Sequence, residues 1–328
     1  MQLRTLDLFH GAGGSSSGAQ AAGAEIVAGV DFWDIATQCF RINFPGATSI
    51  REDIRTLQPD ALYEMIGDID LILASPECTS HTCAKGAAAR SEESRLTAFE
   101  VIRYAAKFRP KWIAIENVVH IRSWHAYPEL LNSLRRLGYE INETKLNARD
   151  FGVPQSRTRL FILCSRLGLP RFTGVSATEI RPASSIIANN GNYRFTPLFS
   201  PGRAKATIAR AQRAISQLKG DEPFLIVYYG TDQSGGWQPI DRPLRTVTTL
   251  DRFAYVKSSF DGLMMRMLQP EELKLAMGFP TTYKLTGGTR RDKVRLMGNA
   301  VCPPVMESVV RSLLSQDPEE EIAQNNPK

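Results

Sequence analysis

The sequence predicts a doubly wound α/β fold, an open and mostly parallel sheet with helices on both faces, joined to a smaller, irregular β-rich unit. Two observations carry this. Short apolar runs alternate with helix-compatible segments over the first half, and their carboxyl ends repeatedly carry glycine, acid or cysteine. After Leu169 that alternation gives way to a basic, aromatic stretch.

Leu3 to Phe9 reads as a buried first strand, running through Asp7 and Phe9 into Gly11-Ala-Gly13-Gly14 and then a helical segment, Ala19 to Ala22. Glycines there let the backbone turn tightly against a ligand, although the spacing lacks the third glycine of a dinucleotide fingerprint and a plain turn is the alternative. A second strand, Ile26 to Val30, ends at Asp31-Phe32, where a carboxylate can bind ribose hydroxyls and an aromatic can stack on a base; a helix N-cap is the bland reading. The third strand, Ala47 to Ile50, leads to Asp53-Ile54, which can read an adenine amino group. Successive strand ends thus form a nucleoside pocket.

The fourth strand, Asp70 to Ala74, breaks at Pro76 and places Cys78 just beyond the sheet. Most free cysteines are small buried hydrophobes, but this one stands where chemistry gathers in such folds. A polar segment, 79 to 94, reads as a loop able to close over it. After a helix, Arg95 to Phe108, the fifth strand, Trp112 to Ile115, ends in Glu116-Asn117-Val118. A further strand-like run from Phe151 to Cys164 carries Arg157 and Arg159, which strand spacing puts on one face, suited to a phosphate or a planar polar group; a surface ion-pair ladder is the alternative.

From Arg171 to Lys219 there are eight cations against one acid, Glu179, interleaved with Phe172, Tyr193, Phe195 and Phe199. Such a stretch suits nucleic acid, with a solvated basic face as the alternative. Arg245 to Leu250 reads as β. The chain closes with a helix, Glu271 to Met277, the segment Gly298-Asn299-Ala300-Val301, an apolar helix from Val305 to Leu314 and a frayed polar tail, 317–328.

Bulk properties narrow the classes. No apolar run approaches the roughly 20 residues of a membrane span, and the N-terminus lacks a signal-peptide layout, so a cytoplasmic location is expected. Five widely spaced cysteines without a Cys-x-x-Cys pair suggest free thiols and no metal. A net charge of +6 permits a nucleic-acid partner without proving one.

Taken together, Asp7-Leu-Phe-x-Gly-x-Gly-Gly14, Asp31-Phe32, Asp53-Ile54, Cys78, Glu116-Asn117-Val118, Gln155-Ser-Arg157-Thr-Arg159 and Gly298-Asn-Ala-Val resemble the ordered motifs of the DNA (cytosine-5) methyltransferase family over almost the full chain. The resemblance implies a Rossmann-like methyltransferase sheet at 1–168, completed by the C-terminal helix 298–316, with a target-recognition domain at 169–297. It implies S-adenosylmethionine as cofactor, leaving as S-adenosylhomocysteine, held by Asp7, Phe9, Gly11, Gly13, Gly14, Asp31, Phe32, Asp53, Ile54, Pro76, Asn299 and Ala300. Double-stranded DNA is the implied partner, a cognate restriction endonuclease a further one, and a monomer the expected state.

In that chemistry Cys78 adds to carbon 6 of a flipped-out cytosine, Glu116 protonates N3, Arg159 steadies O2 and the carboxylate, and Arg157 favours the thiolate and contacts phosphate. The chain departs from the family around the nucleophile, where Pro-Cys-Gln is usual and Glu77-Cys78-Thr79 stands. A carboxylate beside the thiol disfavours the thiolate, so Glu77 is expected to point away from the sulfur. The same chemistry on tRNA, an inactive DNA-binding homologue and a nicotinamide dehydrogenase are the competing readings.

Overall fold

A computed structural model describes residues 2–76, 96–174, 177, 179–189, 191–229 and 235–317. Cys78, Glu77 and the 79–94 segment expected to close over the site lie outside the described residues, as does the tail beyond Asp317.

The first half alternates as its patterning requires: β1 (Arg4–Leu8), α1 (Gly14–Ala21), β2 (Glu25–Asp31), α2 (Asp34–Asn43), β3 (Thr48–Arg51), α3 (Pro59–Ile66) and β4 (Leu71–Ala74). Beyond the undescribed segment come α4 (Glu100–Phe108), β5 (Trp112–Asn117), α5 (Tyr127–Arg136), β6 (Glu140–Asn147) and β7 (Thr158–Ser165). They build a seven-stranded sheet in the order β3-β2-β1-β4-β5-β7-β6, with β7 antiparallel to both neighbours and the other pairings parallel. Both faces are covered, so β4 and β5 are buried throughout and read as unbroken apolar runs. Leu71 and Leu73 face the cluster that includes Ala19 of α1 and Phe40 of α2, while Ile72 and Ala74 face Leu62 of α3 and Tyr104 of α4. Strand order reverses between β1 and β4, which opens a crevice at their carboxyl ends.

Some elements depart from expectation. The first helix begins at Gly14, five residues before the expected Ala19. Its serines and glycines have poor helical propensity, and tertiary contact overrides it: α9 (Pro303–Leu314) lies against α1 so closely that a Cβ on Gly14 would sit 2.1 Å from the Val301 carbonyl oxygen and one on Gly18 2.4 Å from that of Pro303. The helix α3 was not foreseen, although Pro59 at its first turn and Asp60 beside it are ordinary start signals. The run from Phe151 is not one strand; β7 starts only at Thr158, after a left-handed Gly152 and a single bridge from Gln155 to Leu244.

The second unit contains β8 (Thr196–Pro197), α6 (Lys205–Ile215), β9 (Phe224–Val227), β10 (Trp237–Pro239), β11 (Phe253–Ser259) and β12 (Gly262–Met267), paired antiparallel in the order β10-β9-β11-β12-β8. Ala211 and Ala214 of α6 close over Phe224, Ile226 and Val256. Residues 245–250, expected as a strand, form an irregular strap instead, because side chains rather than a neighbouring strand take their backbone groups. Two helices follow, α7 (Pro270–Ala276) and α8 (Arg290–Asn299), and a buried Arg266–Glu272 pair at 2.6 Å ties β12 to α7. The flanks of this unit rest on the first sheet's layers: Thr173 N–H donates to Ser312 Oγ (3.2 Å) and Asn43 Nδ2 to the Lys284 carbonyl (2.9 Å).

Candidate active site

The turn after β1 is the most constrained backbone in the crevice. Phe9 (φ 62°), Gly11 (53°) and Gly13 (71°) are all left-handed, alternating with ordinary residues. For Phe9 that conformation costs about 1–2 kcal/mol, so the surroundings must impose it. They do: Phe9 N–H and His10 N–H donate to the Val30 carbonyl, Gly11 N–H to Asp31 Oδ2 (2.9 Å), and Gly13 N–H to the His10 carbonyl (2.7 Å). These bonds spend the Phe9, His10, Gly11 and Gly13 amides within the protein, so the donors left to a ligand are those that open α1. Gly13 then caps α1 with no side-chain cap, leaving the helix's positive end to a ligand.

Beneath the turn, Asp7 is fully buried, with Oδ2 accepting from Ser16 Oγ (2.6 Å) and Oδ1 without a partner. Burial pushes its carboxyl up from 3.8 to about 7. The native state therefore holds a proton that the unfolded chain has released between those values, and stability falls as pH rises through that window. Asp7→Asn is expected to gain in melting temperature relative to wild type between about pH 4 and pH 7 and to keep a constant offset above it, in thermal melts of the cofactor-free protein. An offset independent of pH would show that Asp7 does not titrate there.

Around the crevice the other expected cofactor residues fall into two sets. Asp31 is half-buried, joined to the turn through Gly11 and to α2 through Trp33 N–H (2.8 Å), and Phe32 beside it is 67% exposed, a free aromatic face. Pro76 lies at the end of β4, its carbonyl accepting from Asn117 Nδ2 (3.2 Å), so the Glu-Asn-Val segment ties two strand ends together. Ala300 is buried and Asn299 exposed at the end of α8, and their segment reaches the turn through Val301 against Gly14. Asp53 is different. Both its oxygens accept from Arg55, which holds its carboxyl below the usual range, and its carboxylate is not turned to the crevice by any contact here. Ile54 is buried in the core, its carbonyl taken by Tyr104.

Glu116, at the end of β5, is 6% exposed. Its Oε1 stands 3.2 Å from Arg159 Nε yet lacks a hydrogen bond, because the pair is close but poorly aligned. Burial pushes its pKa up, against the pull of Arg159 and Arg157, so the protonated acid persists to higher pH than an exposed glutamate. Cys302 lines the same recess, and burial pushes its thiol up to about 11.

Arg157 corrects an expectation. It is 3% exposed, and its guanidinium donates to the carbonyls of Val247 (3.0 Å), Gly298 (3.0 Å) and Ala300 (3.1 Å), so no phosphate reaches it. It clamps the strap and the late motif beside Glu116. Two further residues had no role assigned from the sequence, although Gln155 opens the Gln-x-Arg-x-Arg motif. Gln155, fully buried, accepts from Val247 N–H (2.8 Å) and donates to the Ala276 carbonyl (3.0 Å). Tyr283, buried, donates to the Ala12 carbonyl inside the turn. Neither has a local signal, since 92 residues separate the first pair and 271 the second. Some of the basic stretch is also spent internally: Arg203 holds the Pro197 carbonyl and Arg213 that of Gly235, whereas Arg181, Arg194 and Lys205 stay exposed.

Among the described residues no helix is long and apolar enough to cross a membrane, and no cluster of His, Cys, Asp and Glu could hold a metal.

Comparison with known proteins agrees with this arrangement. The type II methyltransferase M1.HphI of Haemophilus parahaemolyticus is 27% identical over 343 aligned positions, covering 98% of this chain and 89% of that protein. M.HgiDI of Herpetosiphon aurantiacus is 26% identical, with 91% and 90% covered. Against M.DdeI of Desulfomicrobium norvegicum the match, 30% identical, spans 56% of this chain and less than half, 45%, of the relative. The solved structure of the S. pombe Dnmt2 methyltransferase superposes with a TM-score of 0.68 at 20% identity, covering 96% of this chain and 99% of that one, which shows a shared fold. A family model described as C-5 cytosine-specific DNA methylase matches residues 3–315, from the first strand to the last helix, and the chain belongs to that family.

Proposed function

We propose that the protein transfers a methyl group from S-adenosylmethionine to carbon 5 of a cytosine flipped out of double-stranded DNA, through covalent addition of Cys78 at carbon 6. The observation that carries this reading is a buried Glu116 3.2 Å from Arg159, at a strand end two strands from the glycine turn, with burial pushing its carboxyl up.

The crevice fits the cofactor on its own terms. The uncapped start of α1 suits a carboxylate, the unpartnered Asp7 Oδ1 an ammonium group, and the exposed Phe32 ring a purine face. Open space beside Gly11, where an added Cβ would meet nothing within 4 Å, leaves room for ligand against the backbone. Asp31, Gly13, Gly14, Pro76, Asn299 and Ala300 hold the rest of the cofactor in this reading. In this reading Ile54 and Asp53 contribute after Asp53 leaves Arg55, or through their backbone. When bound, S-adenosylmethionine supplies an electrophilic methyl group on a sulfonium.

Carbon 5 of cytosine is too weak a nucleophile to take that methyl unaided. The Cys78 thiolate forms a bond to carbon 6, and the electron pair displaced through the ring is neutralised at N3 by the proton of Glu116. In this reading Arg159, 3.2 Å from Glu116, holds the resulting carboxylate and the base's O2. The methyl would pass to carbon 5 with S-adenosylhomocysteine as leaving group; loss of the carbon 5 proton to a base, departure of the Cys78 thiolate and return of the N3 proton to the Glu116 carboxylate then restore the ring. Arg157, through the 247 and 298–300 backbone, positions this set without touching the base. The unit at 169–297, with its exposed Arg181, Arg194 and Lys205, is the part assigned to reading DNA sequence.

The test uses the full chain with methyl-labelled S-adenosylmethionine and either genomic DNA or bulk tRNA. Label in DNA, appearing at one short sequence in bisulfite sequencing from a methylation-free host, is the expected result. Label in tRNA alone would replace the substrate, and label in neither would point to a binding protein. A partner endonuclease would appear as cleavage of that same unmethylated sequence.

A further inference from the structure

The contact between the glycine turn and the far end of the chain has no part in the chemistry above, yet it reaches the most strained backbone in the crevice. Tyr283 comes from the connector between α7 and α8. Its ring packs on Phe279 (centroids 4.6 Å apart) and meets the edge of Phe44 (6.3 Å), and Lys274 Nζ holds its carbonyl at 2.7 Å. The hydroxyl donates to the Ala12 carbonyl, and a Cβ on Gly13 would lie 2.7 Å from the same oxygen. Two neighbouring residues of the turn are therefore shaped around one phenol.

The geometry matters because of the peptide it touches. The Ala12–Gly13 peptide has its N–H on the His10 carbonyl and its C=O on Tyr283. Both polar groups of that unit are fixed, so it cannot rotate. It is flanked by the left-handed Gly11 and Gly13, residues without a Cβ whose backbone would otherwise move freely, and it leads directly into the uncapped first turn of α1.

We propose that Tyr283 is a positioning residue for the cofactor: by fixing the Ala12–Gly13 peptide it holds the glycine turn in its ligand-ready form. The inference rests on the reading that this turn binds S-adenosylmethionine. Without the hydroxyl the buried Ala12 carbonyl loses its partner, the peptide gains alternative orientations, and part of the binding energy goes to reordering the turn.

The experiment compares wild type with Tyr283→Phe by calorimetric titration of S-adenosylmethionine and S-adenosylhomocysteine. The expected result is an approximately tenfold weaker dissociation constant for both, with kcat at saturating cofactor and DNA affinity within about twofold of wild type. Unchanged cofactor affinity overturns the proposal. So does a parallel loss in cofactor affinity, DNA affinity and kcat, which marks a merely structural role. Failure of the wild type to bind either compound would instead overturn the cofactor reading. If Tyr283→Phe does not fold, 3-fluorotyrosine at position 283 keeps the hydroxyl and reports by fluorine resonance: a shift on adding S-adenosylhomocysteine is expected, and an unmoved resonance refutes the coupling.

Discussion

Cys78→Ser is expected to abolish methyl transfer, lowering kcat by at least about 10⁴-fold while leaving cofactor binding within about twofold. A serine hydroxyl is almost never ionised near neutral pH, whereas a thiol near a guanidinium is a few per cent thiolate or more. No described cysteine can substitute. Cys39, Cys164 and Cys302 are all buried, and burial raises the pKa of each, so none offers a thiolate to a base. Incorporation of labelled methyl into DNA measures the loss, and trapping on DNA carrying 5-fluorocytosine gives an independent readout: wild type forms a covalent adduct and the serine variant does not. Activity retained by Cys78→Ser would sink the covalent mechanism.

Glu116→Gln should lower kcat by about 10²- to 10⁴-fold, the range of a lost general acid. The amide keeps the shape and removes the proton, so DNA and cofactor affinities stay near wild type. The pH dependence separates this from a packing defect. Glu116 acts in its protonated form, and burial raises its pKa, so activity falls as pH rises through that raised value. The same sign holds for stability: the folded state binds the extra proton, and that contribution is present at low pH and lost as pH rises. In Glu116→Gln the alkaline fall due to this group disappears from the rate profile. A variant that keeps the wild-type profile at a uniformly reduced rate would assign the acid elsewhere.

Arg157 and Arg159 show where local reading stops. Sequence spacing made them an alike pair on one strand, but β7 begins at Thr158, between them. Arg159 meets Glu116, and Arg157 turns to three backbone carbonyls that belong to residues 90 to 143 positions away. Asp53 teaches the same lesson at shorter range, since a neighbour two residues on, Arg55, claims the carboxylate that the strand-end rule assigned to a ligand.

What the sequence determined by itself is the alternation of buried strands and helices and the crevice with its glycine turn. These follow from local rules: a buried parallel strand must be apolar throughout, and a tight turn needs residues without a Cβ. What only the tertiary structure decided is which groups are spoken for. The helical start at Gly14 is set by the approach of Val301, the left-handed Phe9 by the Val30 and Asp31 contacts around it, and the placement of the Ala12–Gly13 peptide by Tyr283. A buried hydrogen-bond donor must find an acceptor wherever the chain brings one, and that choice depends on the packing of distant segments, which no short window of sequence contains.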